Sequence, residues 1–116
     1  MKLKDFQELS VRTMNTDLSQ EQKISNCLIG IQGETGEIAD IFKKHLYQGH
    51  DLDLDHVEEE IGDAMFYIVN LATLMGINME AAIERNFEKL LKRFPNGFSV
   101  EDSIARVDKI WYQPYK

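Results

Sequence analysis

The sequence predicts an all-α protein, with a four-helix bundle-like arrangement and a short C-terminal tail. Proline occurs only at positions 95 and 114, so no proline interrupts a helix before that point. Apolar residues recur at helical spacing through most of the preceding chain. The length of 116 residues is typical of one domain. We therefore expect a single all-α domain that spans residues 1–116.

The helix boundaries are predicted from local signals at the chain positions where the apolar period starts and stops. Ser19 and Gln22 have the spacing of a capping box at the start of the second helix. Gly76 is a C-terminal stop, Asn78 is an N-cap, and Pro95 ends the fourth helix. The predicted helices cover, in order, residues 3–15, 19–48, 53 or 55 to 76, 78–94 and 99–109.

The third predicted helix is apolar over most of its circumference. Val57, Ile61 and Ile68 lie on one stripe, whereas Phe66 and Val69 lie on the other side. A helix with this pattern has to be covered on most faces, and in a chain this short the natural cover is a second subunit. We expect a homodimer or a homotetramer.

Composition excludes several classes of protein. The net charge of −7, from 20 acidic and 13 basic residues, argues against a nucleic-acid partner, which requires clustered cations. Cys27 is the single cysteine, so an internal disulfide and a thiolate metal cage are both excluded. The N-terminus is too polar for a signal peptide, and the longest nearly uncharged stretch is too short to span a membrane. A reduced, cytoplasmic setting is the expectation.

Two pairs of acidic residues have the spacing that matters for chemistry. Glu34 and Glu37 lie one turn apart beside the apolar stripe of the second helix, and Glu60 and Asp63 occupy the equivalent flank of the third. If the two helices pack antiparallel, the four carboxylates converge and repel one another. Oxygen ligands of this kind suit a hard cation, and Mg²⁺ commonly shares such ligands with substrate phosphates.

The fourth helix carries a complementary set of side chains. Asn86, Lys89 and Arg93 line one flank, where two cations and an amide are suited to phosphate oxygens. Tyr67 and Asn70 continue the acidic flank of the third helix and are expected to face the same cavity.

Simpler interpretations exist for each feature taken alone. An acidic pair is most often a solvated helix face, Lys89 and Arg93 alone would be a surface pair, and Tyr67 alone would be a core residue. Three further residues, His45, His50 and His56, show no repeated ligand spacing and are expected at the surface. Glycines at positions 30, 33 and 36 each cost about 1 kcal/mol in a helix relative to alanine, which predicts close packing of another helix.

The combined motifs resemble those of MazG-like nucleotide pyrophosphohydrolases over roughly residues 24–98. The family pattern is ExxE, a variable spacer and then ExxD. The matching segments here are Gly33-Glu34-Thr35-Gly36-Glu37, Glu60-Ile61-Gly62-Asp63, and Asn86 through Lys89 to Arg93-Phe94-Pro95-Asn96-Gly97-Phe98.

This resemblance implies a nucleoside triphosphate pyrophosphatase that gives a nucleoside monophosphate and pyrophosphate with Mg²⁺, for which Mn²⁺ is an alternative ion. It implies further that such proteins remove unwanted nucleotides and form dimers or dimers of dimers. By position, it makes the four acidic residues the metal ligands and catalytic groups, with the substrate contacted by a second set. The metal set is Glu34, Glu37, Glu60 and Asp63, and the substrate set is Tyr67, Asn86, Lys89 and Arg93.

Two alternatives to this function remain open. One is a non-catalytic nucleotide-binding or helical interaction module that retains the acidic cluster. The other is a dimeric-type deoxyuridine triphosphatase, which is usually longer. Phe6 is the only aromatic residue of the first predicted helix, so the aromatic residues with which some relatives hold the base have no match there. The preferred base is therefore left open.

Overall fold

The structure is a computed structural model that describes residues 1–108. Its elements are α1 (Leu3–Ser10), a 3₁₀ turn (Val11–Thr13), α2 (Gln20–Tyr47), α3 (Leu54–Leu74), α4 (Met79–Arg93) and α5 (Val100–Ala105). No β-strand forms within these residues, so the predicted all-α fold is confirmed. The chain divides into two compact units, residues 1–79 and a second that starts at residue 80.

Helices α2 and α3 form an antiparallel hairpin that dominates the first unit. Near one end, Gln20 Nε2 donates to the carbonyl of Leu74 at 3.3 Å. More than one third of the way along α2, Gly30 lies against the ring of Tyr67. Positions on α2 thus rise as their neighbours on α3 fall, which is the predicted antiparallel arrangement.

The ends of these two helices follow the predicted local signals. Ser19 Oγ accepts from the N–H of Gln22 at 3.2 Å, and Gln22 Oε1 accepts from the N–H of Ser19 at 3.0 Å, so the capping box is present. Asp53 caps α3 by accepting from the N–H of His56 at 3.1 Å. After α3, Gly76 adopts φ of +70°, a conformation that favours glycine.

The first helix is shorter than predicted, because it ends at Ser10 rather than near Asn15. Ser10 Oγ donates to the carbonyl of Phe6 at 2.6 Å, and Thr13 Oγ1 donates to that of Ser10 at 3.2 Å. Asn15 Oδ1 accepts from the N–H of Asp17 at 2.9 Å, which closes a local turn. Such short polar side chains offer the backbone an alternative to helical hydrogen bonds, and apolar periodicity does not register them.

The hairpin packs closely because its contact positions carry small residues. Ala64 and Ala72 are buried on α3, and a Cβ at position 30 would lie 2.6 Å from the Tyr67 ring. The predicted close packing is therefore correct for Gly30. It is wrong for Gly33 and Gly36, where an added Cβ would meet nothing within 4 Å among the residues that the structure describes.

Helix α1 joins the same unit through one glutamine. Gln7 Nε2 donates to Thr73 Oγ1 at 3.1 Å and to the carbonyl of Ile77 at 2.8 Å. Its Oε1 accepts from the N–H of Met79, the first residue of α4, at 2.9 Å. One side chain thus ties α1 to the end of α3 and satisfies a free N–H at a helix start.

The second unit contains most of α4, the turn after it and α5. Gly97 adopts φ of +85° in the turn, and Ser99 Oγ caps α5 by accepting from the N–H of Asp102 at 3.0 Å. Helix α5 ends at Ala105, where Arg106 adopts a left-handed conformation with φ of +50°, so it is shorter than the predicted 99–109; Lys109 itself lies outside the described residues.

Among residues 1–108, no single helix is both long and apolar enough to cross a membrane, and α3 and α4 pass only when taken together as a bent pair, by length and composition.

Candidate active site

The hairpin brings the two acidic pairs of the sequence together. Ligand oxygens of Glu34, Glu60 and Asp63 all lie within 4.8 Å of one another. Ligand atoms of Glu37, His56 and Glu60 meet the same criterion, so Glu60 belongs to both groups. The helical spacing of each pair and the antiparallel packing of α2 and α3 together produce this carboxylate cluster. We use that name for Glu34, Glu37, Glu60 and Asp63.

Glu60 is the buried member of the cluster, with 5% of its surface exposed. Its Oε1 lies 3.2 Å from His56 Nε2, and its Oε2 is buried without a hydrogen-bond partner among residues 1–108. When Glu60 carries a proton it can donate a hydrogen bond to Glu34, and this bond, followed by burial and by Glu37, raises the pKa of Glu60 to about 8. A carboxyl group in this position keeps its proton at neutral pH unless a cation compensates the charge of its neighbours.

The remaining members of the cluster face outward. Glu34 is half-buried, whereas Glu37 and Asp63 are exposed. The cluster therefore combines one buried carboxylate with three that solvent or a bound molecule can reach. Such an all-oxygen set with an open side fits Mg²⁺, which retains waters and is commonly shared with substrate phosphates.

His56 was missed at this site by sequence reasoning, although its predicted surface exposure is correct. It is exposed, yet it contacts the most buried carboxylate of the cluster. The signal was available, since His56 and Glu60 are four residues apart on one helix and such residues face each other. A repeated spacing among histidines does not reveal a contact between a histidine and a glutamate.

Tyr67 and Asn70 are placed along α3 beyond Asp63. Both line one cavity of about 150 Å³ in the first unit, but no member of the carboxylate cluster lines it, so a cavity shared with the acidic residues stays a prediction. Tyr67 is half-buried, and Asn70 is only 1% exposed.

The predicted phosphate-binding residues of α4 belong to the second unit. Asn86 is exposed, and Lys89 is half-buried. Arg93 makes a two-point contact with Asp108, from Nε to Oδ1 at 2.7 Å and from the terminal Nη2 to Oδ2 at 2.9 Å. This contact holds the pKa of Asp108 well below its usual range and raises that of Arg93.

Asp108 is a second residue that sequence reasoning missed. It is 1% exposed and also lies 3.4 Å from Arg106 Nε. No helical period connects it with Arg93, which is fifteen residues earlier. The role of Arg93 as a phosphate ligand stays a prediction. The guanidinium group of Arg93 would have to contact both Asp108 and the substrate.

The fold and site together define an all-α protein in which two antiparallel helices bring an ExxE pair and an ExxD pair into one candidate metal site. The sequence model of the MazG nucleotide pyrophosphohydrolase domain matches residues 22–98. That range contains the whole carboxylate cluster and the predicted substrate residues. The chain belongs to the MazG nucleotide pyrophosphohydrolase family.

One curated relative is the gene 37 protein of Mycobacterium phage L5. It is 31% identical over 85 residues, which cover 70% of this chain and 75% of that protein. No solved structure gives a significant match.

Proposed function

We propose that this protein is a Mg²⁺-dependent nucleoside triphosphate pyrophosphohydrolase that cleaves the bond between the α and β phosphates. The observation that carries the proposal is Glu60 Oε2, a buried carboxylate oxygen with no partner among the described residues, at the centre of four acidic side chains. Like charges this close destabilise the folded protein unless protons or a cation compensate them. Membership of the MazG family is the basis for proposing a nucleotide as the substrate.

The four members of the carboxylate cluster would hold the ion through oxygen atoms. When bound, Mg²⁺ supplies neutralisation of phosphate charge and lowers the pKa of water. Glu60 would provide the buried ligand, while the outward-facing Glu37 and Asp63 would reach an ion that also contacts substrate. We assign the binding of phosphate oxygens to Lys89 and Arg93, assisted by Asn86 and Tyr67, as the resemblance to the family implies.

The reaction is a hydrolysis at the α phosphorus. A bond forms between the water oxygen and this phosphorus, and the bond from phosphorus to the oxygen that bridges the α and β phosphates breaks. One of the glutamates of the cluster accepts the proton that the water loses. Pyrophosphate leaves, and the nucleoside monophosphate retains the oxygen of the water.

The test is product analysis over a panel of nucleoside and deoxynucleoside triphosphates with and without Mg²⁺. We expect pyrophosphate and a nucleoside monophosphate, with label from H₂¹⁸O in the monophosphate. Orthophosphate as the first product would overturn the assigned cleavage position. Metal-dependent nucleotide binding without any product would indicate the non-catalytic nucleotide-binding module instead. Turnover restricted to deoxyuridine triphosphate would identify a deoxyuridine triphosphatase.

A further inference from the structure

A small cavity lies on the α3 flank beyond the carboxylate cluster. It has a volume of about 150 Å³ and is lined by residues of α2, α3 and the segment after α1. Its lining includes Asn15, Asn26, Cys27, Phe66, Tyr67 and Asn70. Asn15 and Asn26 are exposed, whereas Cys27 and Asn70 are each 1% exposed. The cavity therefore has a polar, solvent-exposed rim and a buried floor.

Asn70 on this floor has one unused hydrogen-bonding group. Its Nδ2 donates to the carbonyl of Phe66 at 3.0 Å, so the amide orientation is fixed by a bond within α3. Its Oδ1 is buried and accepts no hydrogen bond from any residue in the range 1–108. A buried acceptor without a donor is destabilising, and in native proteins it commonly marks a ligand or a water. Asn70 thus contributes to the lining residues an acceptor that no described residue satisfies.

The dimensions and walls of the cavity fit one flat ring. A cavity of about 150 Å³ is large enough to take a six-membered aromatic ring, while pockets for larger ligands start at about 300 Å³. The rings of Phe66 and Tyr67 pack edge to face with centroids 5.2 Å apart, and Cys27 contributes a buried sulfur. Aromatic and sulfur groups are favourable neighbours for the face or edge of a planar ring.

The position of the cavity relates it to the proposed phosphate site. Tyr67 is one turn beyond Asp63 on α3, and Asn70 is seven residues beyond it, a rise of about 10.5 Å. A nucleotide whose phosphates lie at the carboxylate cluster can therefore extend along α3 with its base toward Asn70.

We propose that this cavity is a subsite for a pyrimidine base and that Asn70 is a specificity-determining residue. Asn70 Oδ1 accepts an N–H of the base, from N3 of uracil or thymine or from the exocyclic amine of cytosine. The fused rings of a purine need more space than one six-membered ring, which is what a cavity of about 150 Å³ accommodates. The inference rests on the proposed function, since it names the class of nucleotide that the same site takes.

Kinetics with matched substrates test this subsite. We expect the wild type to hydrolyse pyrimidine triphosphates with kcat/KM about tenfold higher than purine triphosphates. Asn70→Leu removes the acceptor at similar volume, so it should lower the pyrimidine value about tenfold and leave the purine value nearly unchanged. Glu101→Gln, at an exposed residue of α5 outside the segments that carry the family resemblance, is the control and should alter neither. An unchanged ratio in Asn70→Leu would overturn the role of Asn70.

A binding measurement separates failure of the subsite from failure of the catalytic proposal. Deoxyuridine and deoxycytidine monophosphates are titrated against deoxyadenosine monophosphate, with the side-chain amide of Asn70 followed by NMR. A selective shift of that amide by the pyrimidine nucleotides supports the subsite even if no triphosphate is hydrolysed. If all three nucleotides shift the amide alike, or if none shifts it, the cavity does not select a pyrimidine base and the inference is overturned, whatever the hydrolysis panel shows. Melting curves check that Asn70→Leu is folded.

Discussion

His56 Nε2 lies 3.2 Å from Glu60 Oε1, one helical turn away on α3, while the other oxygen of the same carboxyl group has no partner among the described residues. The histidine thus occupies one oxygen and leaves Oε2 available in the carboxylate cluster. Groups that contact a metal ligand from outside restrict its orientation, and their loss weakens metal binding.

The first prediction concerns this contact. His56→Ala should weaken Mg²⁺ binding about tenfold, because Glu60 loses the group that restricts its side chain. The measurement is calorimetric titration with Mg²⁺, repeated with Mn²⁺. His45→Ala, at an exposed histidine on α2, serves as the control and should bind both ions as the wild type does. Equal affinities in His56→Ala and the wild type would show that the contact does not orient Glu60.

The second prediction concerns pH. The pKa of Glu60 is about 8 in the folded protein, above its ordinary value of 4.5, so between these values the folded state binds more protons than the unfolded state. Stability without metal should therefore fall as pH rises from about 4.5 to about 8. Melting curves in EDTA across this range measure the effect, and Glu60→Gln should flatten it. If the melting temperature of the wild type, relative to that of Glu60→Gln, rises with pH over this range, the raised pKa of Glu60 is contradicted.

The third prediction separates a metal site from a structural polar network. Glu60→Gln and Asp63→Asn should abolish turnover and yet melt at or above the wild-type temperature in EDTA above about pH 8, where Glu60 is ionised and each substitution removes charge repulsion. With Mg²⁺ the wild type should gain stability, because the ion binds the folded state, and the variants should gain much less. If both variants melt well below the wild type in EDTA, the carboxylates are structural partners.

The fourth prediction divides the roles of metal and phosphate ligands. Lys89→Ala should weaken triphosphate binding by about tenfold or more and leave Mg²⁺ binding nearly unchanged, because a cation attracts phosphate and not a metal ion. Two titrations, one with Mg²⁺ alone and one with a triphosphate, give the comparison. Losses of equal size in both would reject this division.

The fifth prediction is a homodimer or homotetramer. On α3, Ile61 is 54% exposed, and on α2, Ile29 is 66% exposed, so apolar surface remains that a second copy can cover. Light scattering at micromolar concentration measures the mass. A mass of 13.4 kDa, that of one chain, would contradict the prediction.

The sequence was informative wherever structure depends on residues close along the chain. The capping box at Ser19, the stop at Gly76 and the turn-spaced carboxylates are all short-range patterns, and each appears as predicted. The early end of α1 was mispredicted because hydrogen bonds from Ser10 and Thr13 compete with the helix at a point where apolar spacing continues.

Contacts between distant residues were harder to anticipate. Asp108 pairs with Arg93 through the fold of the second unit, and neither residue carries a pattern that names the other. Glycine spacing predicted close packing at three positions, but helix crossing brings a neighbour to Gly30 and not to Gly33 or Gly36. Periodicity identifies a helix face, whereas the point of closest approach depends on the geometry of both helices.

The missing methyl group of Gly30 has a consequence for coordination chemistry. The Tyr67 ring occupies the place of a Cβ at that position, so a single residue limits how closely α2 and α3 approach. Glu34 follows one turn later, and its ligand oxygen lies within 4.8 Å of those of Glu60 and Asp63, so the spacing of these candidate ligands depends on the gap between the two helices. Any larger residue at position 30 has to widen the gap between the two helices or displace the Tyr67 ring. Gly30 has no donor atom in its side chain, yet it affects the distance between the candidate metal ligands on the two helices.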